Sequence, residues 1–364
     1  MRFAHTFSYW LSAVSCLLVQ TKHSKNDTLK LEIILEKEYN IMTMKILNQQ
    51  IFENREAAAL PGLMESGGLP ALVSGLSGIH RVNLAAALYE RLELPLLIVC
   101  PDDSAAESFS RDLEAMTGEK VNTLYSRDFT FYSSLAASRE AEQKRLYVLN
   151  ALRCGESPLT VATVSALMQR TIPPQTLIKA AFTVKDGESC PPEELERALV
   201  RCGYTRCEQV EGAGQFSRRG GIVDFFSPSY PEPVRIEFWG DDIDSMGFFD
   251  VKTQRRTESV EACRILPAAE SLATLATGGT EALTEALTAA ADKCSRHKSS
   301  QQLRELEQTL RTDIERLRQS VKLEYADRYM PFLYEKASGA DFIPEEAVVF
   351  IDQPPRCADR ARGF

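Results

Sequence analysis

The chain has 364 residues, too many for one compact core, so two or three domains are expected. Hydrophobic content of 44% and charged content of 26% are those of a soluble globular protein. A formal net charge of −9 argues against holding nucleic acid by bulk electrostatics, which needs clustered Lys and Arg, and leaves only a local basic patch open.

Nine cysteines are scattered without a single CxxC, and the four histidines (His5, His23, His80, His297) are far apart. No zinc-ligand spacing results, and scattered thiols fit a reducing cytosol, so a cytoplasmic protein is expected. Residues 1–43 open on "MRFAHTFSYWLSAVSCLLVQ", an apolar run after one Arg that superficially resembles a signal peptide. It is too short and too broken by polar residues for a membrane-spanning helix. Lys37-Glu38 can be encoded by AAGGAG, a ribosome-binding sequence, so translation is expected to start at Met42 or Met44.

From Met44 short apolar strands alternate with amphipathic helices, the pattern of a parallel α/β domain. "ALVSG" (Ala71–Gly75) reads as a buried strand, followed by a Gly-rich turn and the helix "HRVNLAAALYERL". "PLLIVC" (Pro95–Cys100) is a second strand, followed by the helix "SAAESFSRDLEAMTG", and Leu159–Thr163 is a third.

The first turn aligns with the phosphate-binding pattern G-x-x-x-x-G-K-[ST] when Gly75 is its start. Gly78 falls inside the turn, His80 takes the second Gly, Arg81 the Lys, and Val82 the Ser/Thr. Each change removes a function. His80 carries a side chain where the backbone must wrap phosphate, Arg81 lacks the compact ammonium, and Val82 offers Mg²⁺ no hydroxyl. No acidic strand end of the DEAD or DExH kind follows. A plain turn and a decayed P-loop both remain open, and both predict little ATP hydrolysis.

After Pro173-Pro174 the character changes. "PPEELERALVRCGY" is a helix with a Gly203 stop. The strands "TRCEQV", "GQFSRRGGIVDFFSP", "EPVRIEFWGDDIDSMGFFD" and "ESVEACRILPA" predict an antiparallel sheet. Alternation sets Val234, Ile236 and Phe238 on one face and Arg235, Glu237 and Trp239 on the other. Adjacent Arg218 and Arg219 must point to opposite faces. The face with Arg, Glu and an aromatic is either a protein-binding patch or a solvated face with cross-strand ion pairs. Asp241, Asp242 and Asp244 form a dense carboxylate cluster, readable as a metal-dependent hydrolase site or as a turn.

In the C-terminal part, Leu303, Leu306, Leu310, Ile314, Leu317 and Val321 recur at helical spacing, as on a core-facing helix or a coiled-coil seam. "EEAVVFID" (Glu345–Asp352) reads as a last buried strand.

"GQFSRRGGIVDFFSPSYPEPVRIEFWGDDIDSMGFFDVKTQRR" (Gly214–Arg256) closely resembles a segment shared by the repair helicase subunit UvrB and the bacterial transcription-repair coupling factors. The shared pattern is F-x-x-R-G-x-x-x-D-x-F-P, then R-x-E-F-F-x-D-E-I-[DE]-S, then F-D-x-x-[ST]-Q-R. Ser227 displaces the first Pro and Asp242 stands for the Glu. "LYSRDFTFYSSLAASREAEQKRLYVLNAL", "VATVSALMQR" and "KLEYADRYMPFLYEKASGADFIPEEAVVFID" extend the likeness from Met44 to Asp352. UvrB has an intact P-loop and a Tyr-rich insert, which this chain lacks between Ser126 and Leu146, so it resembles the coupling factors' N-terminal module.

That resemblance implies an α/β fold: a degenerate P-loop-like parallel-sheet domain in two halves (44–172 and 267–364), with an inserted small α+β domain (173–266) bearing an antiparallel sheet. It implies a non-catalytic module without cofactor, whose inserted domain docks UvrA, the damage-recognition ATPase. Arg206, Arg219, Arg235 and Glu237 fall at the family's contact positions, and one family arginine falls on Ser217. Partners of the full-length family, RNA polymerase and double-stranded DNA, would use domains absent here. An active UvrB-like helicase subunit is the alternative, opposed by His80, Arg81 and Val82.

Overall fold

The computed structural model describes residues 43–127, 139–296, 301–323 and 325–364. The expectations for the leader before Met42, and most of the Ser126–Leu146 stretch expected to lack an insert, lie outside the described residues. The chain divides into a smaller unit, residues 1–93 with 111–120, and a larger one, residues 94–110 with 121–364.

In the smaller unit, α1 (43–50) and α2 (Arg55–Glu65) precede α3 (Gly78–Leu92). Asn54 caps α2 by accepting from the Glu56 and Ala57 N–H groups. Buried Asn48 donates to Glu90 Oε1 at 2.9 Å and accepts from Asn83 at 2.8 Å, which ties α1 to α3. Residues 71–75 form no strand, and Leu72 is 85% exposed. A strand exists only where its backbone finds a ladder, and the parallel sheet is assembled without this three-residue apolar run.

The larger unit holds β1 (Leu96–Cys100), α4 (Asp103–Thr117, which ends in the smaller unit), β2 (Asn122–Leu124), α5 (Arg139–Arg153) and β3 (Leu159–Thr163). With β12 (Val348–Ile351) they make a parallel sheet of order β12-β1-β3-β2. β1 and β3 are buried along their whole length, as apolar runs in a parallel sheet covered on both faces should be. β12 is not the buried strand expected. It is an edge, with Phe350 turned to Phe109 (centroids 6.1 Å) while Val349 and Ile351 are 46% and 50% exposed.

A short helix α6 (Val164–Met168) leads to α7 (Pro174–Ala180), which starts on the proline that halts the preceding chain. The inserted segment follows as β4 (Phe182–Lys185), α8 (Pro192–Arg201), β5 (Thr205–Arg206), β6 (Gln215–Arg219), β7 (Ile222–Phe225), β8 (Val234–Trp239), β9 (Asp242–Phe249), β10 (Arg256–Ser259) and β11 (Ala262–Ile265). A six-stranded sheet runs β10-β9-β8-β7-β6-β5, and β11 pairs with β4. The sheet is antiparallel except that β5 pairs parallel with β6, because residues 207–214 carry the chain back to the start of the ladder. The stretch read as one strand, "ESVEACRILPA", divides between β10 and β11 in different sheets.

Two hydrophobic cores result. One joins Leu97, Leu124, Leu149 and Ala162 to Leu287 of α9 (Gly279–Ser295) and Ile314 of α10 (Gln301–Arg318). Leu310, Ile314 and Leu317 face this core as expected, whereas Leu306 and Val321 are exposed. The other joins Leu195 and Leu199 of α8 to Phe216, Val223, Phe225, Val234 and Ile236.

Between the cores lies a buried charge cluster. Glu270, fully buried, accepts from Thr171 at 2.5 Å and meets Arg145 Nε at 3.0 Å and Arg127 Nε at 3.7 Å. Glu142 accepts from the Glu270 N–H at 2.8 Å and pairs with Arg127 at 3.4 Å. Burial pushes the Glu142 carboxyl upward, against the pull of Arg127. After α11 (Met330–Leu333), the chain ends in β12 and α12 (Pro354–Gly363), whose Arg356 pairs with Asp102 at 2.7 Å. No helix among the described residues is long and apolar enough to cross a membrane.

Candidate protein-binding site

The six-stranded sheet has two unlike faces. Phe216, Val223, Phe225, Val234, Ile236 and Met246 are buried in the core capped by α8. On the opposite face, cross-strand register lines up Ser217, Asp224, Arg235 and Gly247 in one row. The next row is Arg219, Ile222, Glu237 and Ser245. A bulge follows Glu237, and Trp239 ends β8 at 82% exposure.

The first row is closed down. Arg235 donates from Nε and Nη2 to the two carboxylate oxygens of buried Asp224, at 2.7 and 2.8 Å. Its guanidinium lies 4.6 Å from the centre of the Phe249 ring and also donates to the Gln254 carbonyl at 3.3 Å. The bond to Asp224 strengthens the hold of Arg235 on its charge. Buried Ser217 donates to the Glu208 carbonyl, so the loop of residues 207–214 folds over this end.

The second row is open. Arg219 is exposed and, among the described residues, donates only to the Glu208 carbonyl, at 3.2 Å. No salt bridge among the described residues engages Arg219 or Glu237. Ile222, 37% exposed, lies between them. A sheet face with a cation, an anion, an aliphatic side chain and an exposed indole suits an aromatic- and arginine-centred protein contact.

Three of the four predicted partner-binding residues, Arg219, Arg235 and Glu237, share this face. Arg206 does not. Its level with Phe216 in the parallel β5–β6 pair sends it to the α8 side, where it meets Glu196 at 2.7 Å. Arg218 joins it there, held by Glu196 at 3.3 Å and Glu193 at 2.5 Å. The hydrogen bond that Arg218 donates to Glu193 raises the Arg218 pKa, and the same bond lowers that of Glu193. Arg218 therefore cannot stand in for an arginine at Ser217. Ile222 and Trp239 were absent from the predicted set, although alternation along β8 already put Trp239 beside Glu237.

The other candidates lie elsewhere. Asp241, Asp242 and Asp244 are exposed around the β8–β9 turn, where the Asp241 carbonyl accepts from the Cys190 N–H. Among the described residues no group of three or more His, Cys, Asp or Glu is arranged to hold a metal ion. In the smaller unit, Gly75 has φ of +84° and Gly78 is the first residue of α3. Ser77 Oγ lies 2.9 Å from His80 Nδ1, while Val82 is buried. An apolar, inward-facing side chain thus occupies the position where a phosphate loop needs a hydroxyl.

Residues 182–270, the segment that builds this sheet, match the family described as the UvrB interaction domain. The transcription-repair-coupling factor of Bacillus subtilis (strain 168) is 30% identical over 288 residues, covering 78% of this chain and 24% of the relative. That of Myxococcus xanthus is 30% identical over 294 residues, 77% of this chain and 24% of the relative. That of Escherichia coli (strain K12) is 30% identical over 203 residues, 56% and 18% respectively. The chain thus matches the UvrB interaction domain over residues 182–270 and, over most of its length, is similar to the N-terminal region of transcription-repair-coupling factors. It spans about a quarter of the length of the first two relatives, at 24% each.

Proposed function

We propose that this chain is a non-catalytic interaction module of transcription-coupled nucleotide excision repair, which recruits UvrA through the open face of the six-stranded sheet. The observation that carries the reading is a coincidence: the segment matching the UvrB interaction domain is the one that exposes Arg219, Ile222 and Trp239 together with half-buried Glu237. Arg219 supplies a planar, permanently charged fork for a partner carboxylate, and Glu237 an anion for a partner cation. Arg235 supports the face from beneath through Asp224, and Arg206 serves a partner that wraps around the β5 edge.

In this reading residues 173–266 are the docking domain, and residues 44–172 and 267–364 are two halves of one body. The turn from Gly75 to Val82 is a phosphate loop that has lost its chemistry. Contacts to RNA polymerase and double-stranded DNA belong to segments of a full-length coupling factor that this chain does not include.

The test is a binding titration of the full chain with UvrA, comparing wild type with Arg219→Glu. Binding lost on charge reversal, with the circular dichroism spectrum unchanged, supports docking through this face. A folded wild type that does not bind UvrA overturns it. In parallel, Mg²⁺-dependent ATP turnover abolished by Arg81→Ala would overturn the non-catalytic part.

A further inference from the structure

Strand β9 carries a glycine, Gly247, at the end of the row that holds Asp224 and Arg235. Glycine inside a strand gives up side-chain packing and marks a place where another group comes close. Here that group is Arg256 of the edge strand β10. A Cβ on Gly247 would collide with Arg256 Nε, stand 3.1 Å from its Cζ and lie 2.5 Å from the Glu258 carbonyl oxygen. Arg256 therefore lies across β9 instead of standing away from the sheet edge. Its Nη1 donates to Ser245 Oγ at 3.3 Å.

Ser245 is the cross-strand neighbour of Glu237 and belongs to the open row. The edge arginine is thus carried inward, so that the row runs Arg219, Ile222, Glu237, then Ser245 with Arg256 over it. Arg256 is exposed, and no salt bridge among the described residues engages it. Arg235 and Asp224 cancel each other beneath. Within this row two arginines then flank one glutamate, while exposed Asp242, across from Trp239, and exposed Asp244 lie at its β8–β9 end.

We propose that Arg256 is a further partner-binding residue of this face, positioned by Gly247, and that the partner is a protein that sets carboxylates against this row. This inference rests on the docking reading given above. With strands about 4.8 Å apart, Arg219 on β6 and the Arg256 site over β9 stand roughly 14 Å apart, and the partner places a carboxylate opposite each. Between them Ile222 takes an apolar contact, and Glu237 discriminates against a partner that is acidic throughout. Holding the long side chain in place before contact lowers the ordering cost of binding.

The experiment titrates the full chain with UvrA at several salt concentrations, for wild type, Arg256→Glu, Gly247→Ala and Arg219→Glu. Arg256→Glu is expected to weaken binding by about tenfold or more and to flatten its salt dependence, with an unchanged thermal melt. Gly247→Ala, whose Cβ displaces Arg256 and also presses on the Glu258 carbonyl of β10, is expected to shift affinity the same way. Should either variant melt early, Arg256→Gln removes the charge at nearly constant size and replaces it. Loss of binding in Arg219→Glu with unaltered affinity and salt slope in Arg256→Glu, or in Arg256→Gln, overturns this inference and leaves the docking reading standing. Unaltered binding in both Arg219→Glu and Arg256→Glu, or none by wild type, overturns the docking reading and this inference with it.

Discussion

Arg235 and Asp224 face each other across β8 and β7 as a two-pronged ion pair, with donor–acceptor distances of 2.7 and 2.8 Å. Asp224 has a side-chain exposure of 4% and Arg235 of 19%, so the pair is mostly withdrawn from water. Removing one member of such a pair strands the other charge in a poorly solvating site. Arg235→Ala is expected to cost about 3–5 kcal/mol of folding stability, measured by urea unfolding followed by circular dichroism. Any UvrA binding lost with Arg235 should come with this loss of stability, whereas Arg219→Glu should lose binding alone. Equal stability of wild type and Arg235→Ala would show that water reaches Asp224 freely.

Trp239 is the reverse case. At 82% exposure its indole contributes little to the fold, and truncating an exposed side chain typically shifts stability by less than about 0.5 kcal/mol. Tryptophan at the centre of an interface commonly carries on the order of 2 kcal/mol. Trp239→Ala is therefore expected to melt like wild type and to bind UvrA more weakly by that amount in a calorimetric titration. An unchanged affinity would mean that the partner stops short of the β8–β9 turn.

How far these residues were legible in the sequence follows from the range of the interactions that place them. β1 is a run of apolar residues, β3 is a short run rich in β-branched residues, and α3 and α4 have helical spacing, so local pattern suffices for each. The faces of β8 follow from alternation, which sets Arg235, Glu237 and Trp239 apart from Val234 and Ile236. Arg206 was not legible, because its side is fixed by the parallel register of β5 on β6 across the loop of residues 207–214. Residues 71–75 read as a strand because an apolar run looks alike with or without a neighbour to ladder on. Arg256 needs three facts at once: its edge position, the glycine at 247 and Ser245 within reach. Only the glycine inside a strand hinted at it.

The cluster around Glu270 predicts a stability effect far from the docking face. Its carboxylate is fully buried and shared by Thr171, Arg145 and Arg127. Glu270→Gln keeps the shape but leaves two buried guanidinium groups with one carboxylate, that of Glu142. The expected loss is about 3–5 kcal/mol, read as a lower urea midpoint with an unchanged slope. Because Glu270 closes the segment 182–270 and meets Arg145 and Glu142 of α5, hydrogen exchange in α5 should quicken in the same variant. Protection of α5 at the wild-type level would show that the cluster does not couple the inserted domain to the body.

The thiols of Cys202 and Cys263 give a pH-dependent prediction. Both side chains are buried in the core beneath the six-stranded sheet, and burial pushes their pKa values up to about 11 and about 12. At pH 8 neither is a thiolate in the folded state, so iodoacetamide should modify them only after unfolding, at the rate of global opening. A thiol whose folded pKa lies above its unfolded value contributes stability that is fully present below the ordinary thiol value near 9. That contribution disappears as pH rises through the folded value, because the unfolded chain ionises first. The inserted segment should therefore melt at progressively lower temperature above about pH 9. Cys263→Ala should flatten this slope. Rapid labelling of Cys263 at pH 8 in the folded chain would show that the core beneath the sheet opens locally, and the alkaline slope would then vanish with it.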